Sequence, residues 1–217
     1  MTDQTKALPA TVFATLLLVA FMMGANHVAA RFAFNNGVDV ITAVSTRSAL
    51  TALVVGLILW QQKVQIQISA RHKKYLPIIG GLIAVQSVCL YSSVAKLPVA
   101  LALLAFNTYP LSTAFWARVL YKHQPEKAIL WSMPLILVGL ALALDVMGAA
   151  SGLGAAEHWS QIGAGVAFAL AASATFGLAL VYTQHETADL DGRVRTFSSL
   201  SMVGVLAIAV ALSQGGF

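Results

Sequence analysis

The sequence predicts an all-α fold, a polytopic membrane helix bundle of about seven transmembrane helices. Three observations carry this. Of 217 residues, 59% are hydrophobic and only 10% charged, with a mean hydropathy of +0.80. A soluble domain carries roughly 25% charged residues, so this chain cannot cover a water-facing surface. Second, the apolar residues gather into seven runs near the roughly 20 residues that a helix needs to cross a bilayer. Third, the basic residues alternate between loops. Leu-, Ala-, Val- and Ile-rich runs of this length also exclude a barrel, whose strands would be about 10 residues of alternating polarity.

The spans read, in order, 9–30, 40–60, 75–95, 98–118, 128–147, 160–183 and 196–214. The first carries no charge from Ala7 to Ala30, which is too long for a signal-peptide core, so it is read as a retained helix. The second contains one charge, Arg47. Ala95, Lys96, Leu97 and Pro98 alone separate the third and fourth spans, which must form a tight antiparallel hairpin. Inside the fourth, Pro110 removes a backbone donor and should break the ladder at the carbonyl of Phe106. Asp145 closes the fifth. Small residues line the sixth every four positions, at Gly165, Ala169, Ser173 and Gly177; such spacing lets helix backbones approach closely. Trp60, Trp116, Trp131 and Trp159 fall near span ends, as in an aromatic belt.

Net charge is +5, and its placement gives it meaning. Lys6, Lys63, Arg71, Lys73, Lys74, Arg118, Lys122, Lys127, Arg193 and Arg195 would share one side, and only Arg31 and Lys96 the other. The positive-inside rule then puts the N-terminus in the cytoplasm and the end of this chain outside, in the cell's inner membrane. The basic residues are an orientation signal, so no nucleic-acid partner is expected. The expected partners are the lipid bilayer and a small-molecule substrate, with a homodimer left open. The single cysteine, Cys89, excludes a disulfide framework and a Cys-based zinc cluster and reads as a packed thiol. No catalytic residue, cofactor or metal is expected.

Shifting the sequence by 153 residues (167 − 14) lays the first span on the sixth: Ala14 meets Ala167, Leu17 Leu170, Gly24 Gly177 and Val28 Val181. Ala20 and Gly24 mirror the end of the small-residue ridge. An offset of five spans would invert the second copy in the membrane, the pattern of many secondary transporters.

Several motifs then resemble one family. Leu90 to Ala100 (Leu-Tyr-Ser-Ser-Val-Ala-Lys-Leu-Pro-Val-Ala), Phe106-Asn107-Thr108-Tyr109-Pro110-Leu111, Leu137-Val138-Gly139, Met23-Gly24-Ala25-Asn26 and Arg47 are similar to the helix motifs of the drug/metabolite transporter superfamily, EamA type. The resemblance implies an inverted-repeat transporter of ten helices in two halves. It would divide this chain into a five-helix repeat over 9–147, an extracytoplasmic linker over 148–159 and a two-helix partial repeat over 160–217. The second half would thus be incomplete by about three helices. The chain departs from the family after the fourth helix, where a Gly-Glu pair is usual. Here Lys122-His123-Gln124-Pro125-Glu126 stands, with His123 or Glu126 in the place of the acid.

The substrate-pathway candidates are Arg47, Asn26, His27, Gln86, Tyr91, Asn107, Tyr109 and Pro110. Arg47 sits about 10 Å inside its span, where an Arg costs about 2.5–3.5 kcal/mol to insert. It is either a counter-charge for an anionic group or a side chain snorkelling to the headgroups. Asn26 and His27 are a polar pair near a span end: a substrate contact, or an interfacial pair wetted by headgroups. Asn107 and Pro110 share a face at the expected kink, and Gln86 with Ser93 aligns on the third span. Each of these, like Tyr91 and Tyr109, is alternatively a packing contact.

The functional expectation is a secondary transporter, an exporter by resemblance, of a small metabolite such as an amino acid or related organic solute. No Gly-x-x-x-x-Gly-Lys-Ser/Thr loop is present to bind ATP. A seven-helix receptor or sensor, or a non-transporting truncated copy, is the alternative. A retinal protein is disfavoured because segment 196–214 has no Lys for a Schiff base. Ser151 with His158 faintly suggests a nucleophile and base, without an orienting acid.

Overall fold

The computed structural model describes residues 9–64, 66–124, 127–145, 147, 150, 152 and 155–213. Eight helices result: α1 (Ala10–Asn35), α2 (Val40–Gln61), α3 (Ala70–Lys96), α4 (Val99–Phe106), α5 (Tyr109–Tyr121), α6 (Lys127–Ala143), α7 (Ala155–Glu186) and α8 (Gly192–Ser213). No strand occurs among the described residues. In hydrocarbon no water satisfies backbone polar groups, so such apolar sequence adopts helices. Six pieces are long and apolar enough to cross a bilayer, with α4 and α5 together forming one; the apolar part of α6 is shorter.

Each of the seven expected spans holds a helix, but the fifth ends earlier than expected, at Ala143, and several other boundaries move outward. α1 runs on to Asn35, α3 begins at Ala70, α7 takes in residues 155–159 of the expected linker, and α8 begins at Gly192. The reason is physical. Hydropathy sees the part of a helix inside hydrocarbon, whereas backbone bonding continues through Arg71, Lys73 and Lys74 at headgroup depth. Local caps set the ends. Asp39 accepts a hydrogen bond from the Thr42 N–H at 2.9 Å at the start of α2. Bonding to Thr42 holds its carboxyl below the usual carboxylate range. Ser69 and His72 form a reciprocal capping box on α3.

The α3–α4 hairpin turns on Leu97, which is buried, and Pro98, the N-cap of α4. Arg31 of α1 reaches over this turn. Its Nη1 donates to the carbonyls of Val94 and Ala95, both at 2.7 Å, and of Leu97 at 3.3 Å. These are carbonyls that the end of α3 leaves over, and a cation suits their partial negative charge.

The fourth span is broken at Asn107 and Thr108. Pro110, in the first turn of α5, has no N–H for the Phe106 carbonyl. Thr108 repairs part of the break by donating its hydroxyl to the Ala105 carbonyl at 2.8 Å.

α7 is the central helix, packed on α3, α4 and α5, while α8 packs on α2 and α3. α2 and α8, each of 22 residues, run antiparallel. Gly56 meets Phe197 at one end, Ala49 meets Gly204 near the middle, and Val44 packs with Val203 and Ala207 toward the other end. α1 and α6 lie lightly on the outside. The outward side chains are large and apolar, for example Phe21, Trp131 and Leu142. In lipid, unlike water, such a surface carries no penalty.

Loop residues 62–64, 66–69, 122–124 and 187–191 lie at one end, here the basic end. Arg71 and His72 meet Asp189 there, and Arg193 meets Gln62. Arg31 and Lys96 lie at the opposite end.

Candidate functional site

Tyr91 of α3, only 3% exposed, gathers side chains from two other helices. From α1, Asn26 Nδ2 donates to the Tyr91 hydroxyl at 3.1 Å. The His27 ring lies 5.9 Å from the Tyr91 ring, and Phe34 meets it edge-on at the same distance. From α2, the Arg47 guanidinium carbon sits 5.2 Å from the ring centroid. Each choice has a physical basis. An aromatic face is the one apolar surface that attracts a cation, and more so away from water. The Tyr hydroxyl supplies a polar edge on the same residue.

Arg47 has no carboxylate within ion-pair distance among the described residues. The ring face orients the guanidinium without consuming its planar donors. Two other buried polar atoms of α1 and α2 are unspent among the described residues. His27, 7% exposed, has no partner at Nδ1, and Ser48, fully buried beside Arg47 in sequence, has none at Oγ. Ser93 Oγ on α3 is a third. Buried polar atoms without partners are uncommon, and each asks for an explanation. Gln86 is buried on α3 more than one turn before Tyr91, and its Oε1 accepts from Ser87 at 3.4 Å.

The remaining candidates lie elsewhere. Tyr109 packs with Phe106 and Phe176 at the break in the fourth span, at centroid distances of 5.6 and 5.1 Å. Asn107 and Pro110 share an exposed face there. The eight pathway candidates thus fall into a cluster on α1, α2 and α3, a group at the α4–α5 break, and Gln86 between turns of α3.

The small residues of α7 face the hairpin and the break. A Cβ on Gly165 would lie 2.5 Å from Leu97, and one on Gly177 would lie 2.7 Å from the Thr113 backbone nitrogen. Ala169 is fully buried. Ser173 joins a hydroxyl chain, 2.9 Å from Thr108 and 3.1 Å from Ser112. Gly24, the repeat partner of Gly177, meets nothing within 4 Å.

Sequence reasoning missed Thr108, Ser112 and Ser48. Their only signal was a hydroxyl inside an apolar run, which many helices carry without consequence. It also misplaced two tryptophans. Trp116 donates its indole N–H to the Ala174 carbonyl of α7 at 3.0 Å, and Trp159 packs on the core around Leu97. Both are bundle contacts, because a helix-facing position outranks nearness to a span end. Trp60 and Trp131 point outward.

Asp145 follows α6, and its Oδ1 accepts from the Ala150 N–H at 3.1 Å. His158 hydrogen-bonds the Leu144 carbonyl at 2.9 Å, while Ser151 lies outside the described residues. Lys122 adopts a left-handed φ of 55°, a conformation that favours glycine. His123 follows it, exposed, and Glu126 lies outside the described residues. Among the described residues, no group of three His, Cys, Asp or Glu side chains could hold a metal ion.

At the basic end Asp189 and Asp191, the loop acids among the described residues, are each paired. Asp189 accepts from Arg71 at 2.9 Å and from His72 Nε2 at 3.1 Å. His72 Nδ1 accepts from the Ser69 N–H, which leaves the ring proton on Nε2 for Asp189. Asp191 binds Arg193 at 2.7 Å. The His72 bond is the main cause that lowers the Asp189 carboxyl, and the Arg193 bond lowers Asp191 to about 2.

The model of the EamA-like transporter family matches residues 11–144, from the start of α1 through α6. No curated protein and no solved structure matches the chain.

Proposed function

Since this chain belongs to the EamA-like transporter family, we propose that it is a secondary transporter that exports a small organic solute with an anionic group, such as an amino acid, and binds it at the Tyr91 cluster. One observation carries this. Arg47 is a cation within a membrane span, seated on an aromatic ring with no carboxylate partner among the described residues. A charge kept there at such expense has a use in recognition or coupling. A substrate carboxylate would complete its pairing. The unspent His27 Nδ1 and Ser48 Oγ would serve the polar remainder of the solute.

The surrounding architecture suits alternating access. α2 and α8 cross antiparallel near their middles, as a five-span inverted repeat would place its second and seventh members. One repeat unit would rock against the other about this crossing, driven by an ion gradient or by exchange. The basic end would face the cytoplasm of a cell bounded by an inner membrane, with the N-terminus there.

The test is efflux of labelled amino acids from cells expressing the chain, with Arg47→Gln and Arg47→Lys variants inserted at equal levels. Arg47→Gln should lower flux at least about tenfold, the weight of one charged hydrogen bond. Unchanged flux would remove Arg47 from the site. Solutes whose carboxylate is converted to an amide should lose transport by the native protein and differ little in the variant.

A further inference from the structure

A cavity of about 500 Å³ opens between α3, α7 and α8 at the basic end, well away from Tyr91. Its lining changes character with depth. Arg195 and Thr196 on the first turns of α8, with Thr187 just past α7, form the polar mouth. Leu76, Ile79 and Ile83 of α3 and Leu200 of α8 line it further in, with two hydroxyls, Thr183, which donates to the Ala179 carbonyl, and Ser199, among them. From Gly192 to Leu200 the helix rises about 12 Å, the distance from headgroup depth into hydrocarbon.

Charge at the mouth is unbalanced. The two described loop acids nearby are already engaged, Asp189 by Arg71 and His72, and Asp191 by Arg193. Arg195 makes one long bond, from Nη1 to the Thr187 carbonyl at 3.3 Å. No carboxylate lies within ion-pair distance of it among the described residues. The threonine hydroxyls donate to their own helices, Thr187 to Thr183 at 3.0 Å and Thr196 to Gly192 at 2.9 Å. Arg195 is therefore the donor that the mouth offers to an incoming group.

We infer that this cavity binds an anionic phospholipid, with the phosphate on Arg195 and an acyl chain along Ile79, Ile83 and Leu200. A free anion would use the mouth and leave the apolar floor uncovered; an uncharged lipid would use the floor and leave Arg195 unpaired. Only an anionic amphiphile matches both. This inference needs the membrane setting but not the transport reading, and its test contains no flux.

The full chain is purified in mild detergent with equimolar phosphatidylglycerol and phosphatidylcholine, and retained lipid is counted by native mass spectrometry. Phosphatidylglycerol should be preferred about fivefold, the weight of one cationic side chain at an anionic surface. Arg195→Gln should abolish the preference, while Arg195→Lys and the neighbouring Lys73→Gln should keep most of it. Equal retention of the two lipids, or a preference that survives Arg195→Gln, would overturn the assignment. So would displacement of phosphatidylglycerol by an equal concentration of glycerol phosphate, which marks a site for soluble anions. If Arg195→Gln does not insert, the native comparison of the two lipids and the glycerol phosphate competition still decide.

Discussion

The basic end and the Tyr91 cluster handle charge in opposite ways. At the basic end, Asp189 and Asp191 are partly exposed and each is matched by a cation, Asp189 by Arg71 of α3 and Asp191 by Arg193 two residues on. Such pairs in water contribute little to stability and serve to fix loop geometry. In the bundle, Arg47 has a ring for company and no acid. The difference teaches where to look for function. A paired charge in water explains itself, whereas an unpaired one within a membrane span needs a visitor.

The sharpest way to break the comparison is to neutralise one charge of each kind. Arg47→Gln should lower flux at least about tenfold, and Arg71→Gln less than about twofold. Equal losses in the efflux assay would mean that the two ends are energetically alike. A second contrast sets the repeat-related glycines against each other. Gly177→Ala forces a methyl to 2.7 Å from the Thr113 backbone, so it should destabilise by about 1–3 kcal/mol. Gly24→Ala, with nothing in the way, should be neutral or slightly stabilising. Apparent Tm in detergent reads both.

Smaller effects refine the Tyr91 cluster itself. Tyr91→Phe keeps the face beneath Arg47 and deletes only the bond from Asn26, a loss of about 1 kcal/mol. Flux should fall a few-fold, with Tyr91→Leu markedly worse; equal losses would show that the ring does not seat Arg47. At the loop after α5, Lys122→Gly should relieve a left-handed φ and raise stability by about 1 kcal/mol. An unchanged or lower Tm would show that Lys122 makes a compensating contact.

The smallest effect is acid sensitivity at the basic end. The folded-state carboxyl of Asp191 is depressed to about 2 from a usual 3.8. The unfolded chain therefore takes up its proton first as pH falls. The contribution of this pair is complete above about pH 4 and disappears as pH drops toward about 2. Asp191→Asn should lower Tm slightly at neutral pH, flatten that part of the Tm-against-pH curve and leave the value near pH 2 nearly unchanged.

The helix count was legible because membrane crossing imposes a length and a composition that show in sequence. The break in the fourth span was legible from Pro110, whose missing N–H acts locally. The companions of Tyr91 were not. Asn26, Arg47 and Tyr91 were each candidates, yet they lie 21 and 44 residues apart (47 − 26 and 91 − 47). Their meeting is decided by how α1, α2 and α3 pack. Helix ends were blurred for another reason, since hydrogen bonding does not stop where hydrophobicity does. The hydroxyl chain through Thr108, Ser112 and Ser173 escaped notice because its members act on partners from another helix.

Arg31 gives the first helix a mechanical character. Every buried residue of α1, His27 and Ala30, lies in its last third, as does the arginine itself. The stretch from Ala10 to Met23 stands exposed. The helix is therefore a lever pinned at one end by a guanidinium on the hairpin. From the pin at Arg31 to Ala10 the helix runs about 32 Å, so a tilt of roughly 10° about the pin sweeps the free end through about 5–6 Å. A small rearrangement around Tyr91, beside the pin, becomes a large displacement at the far face of the membrane.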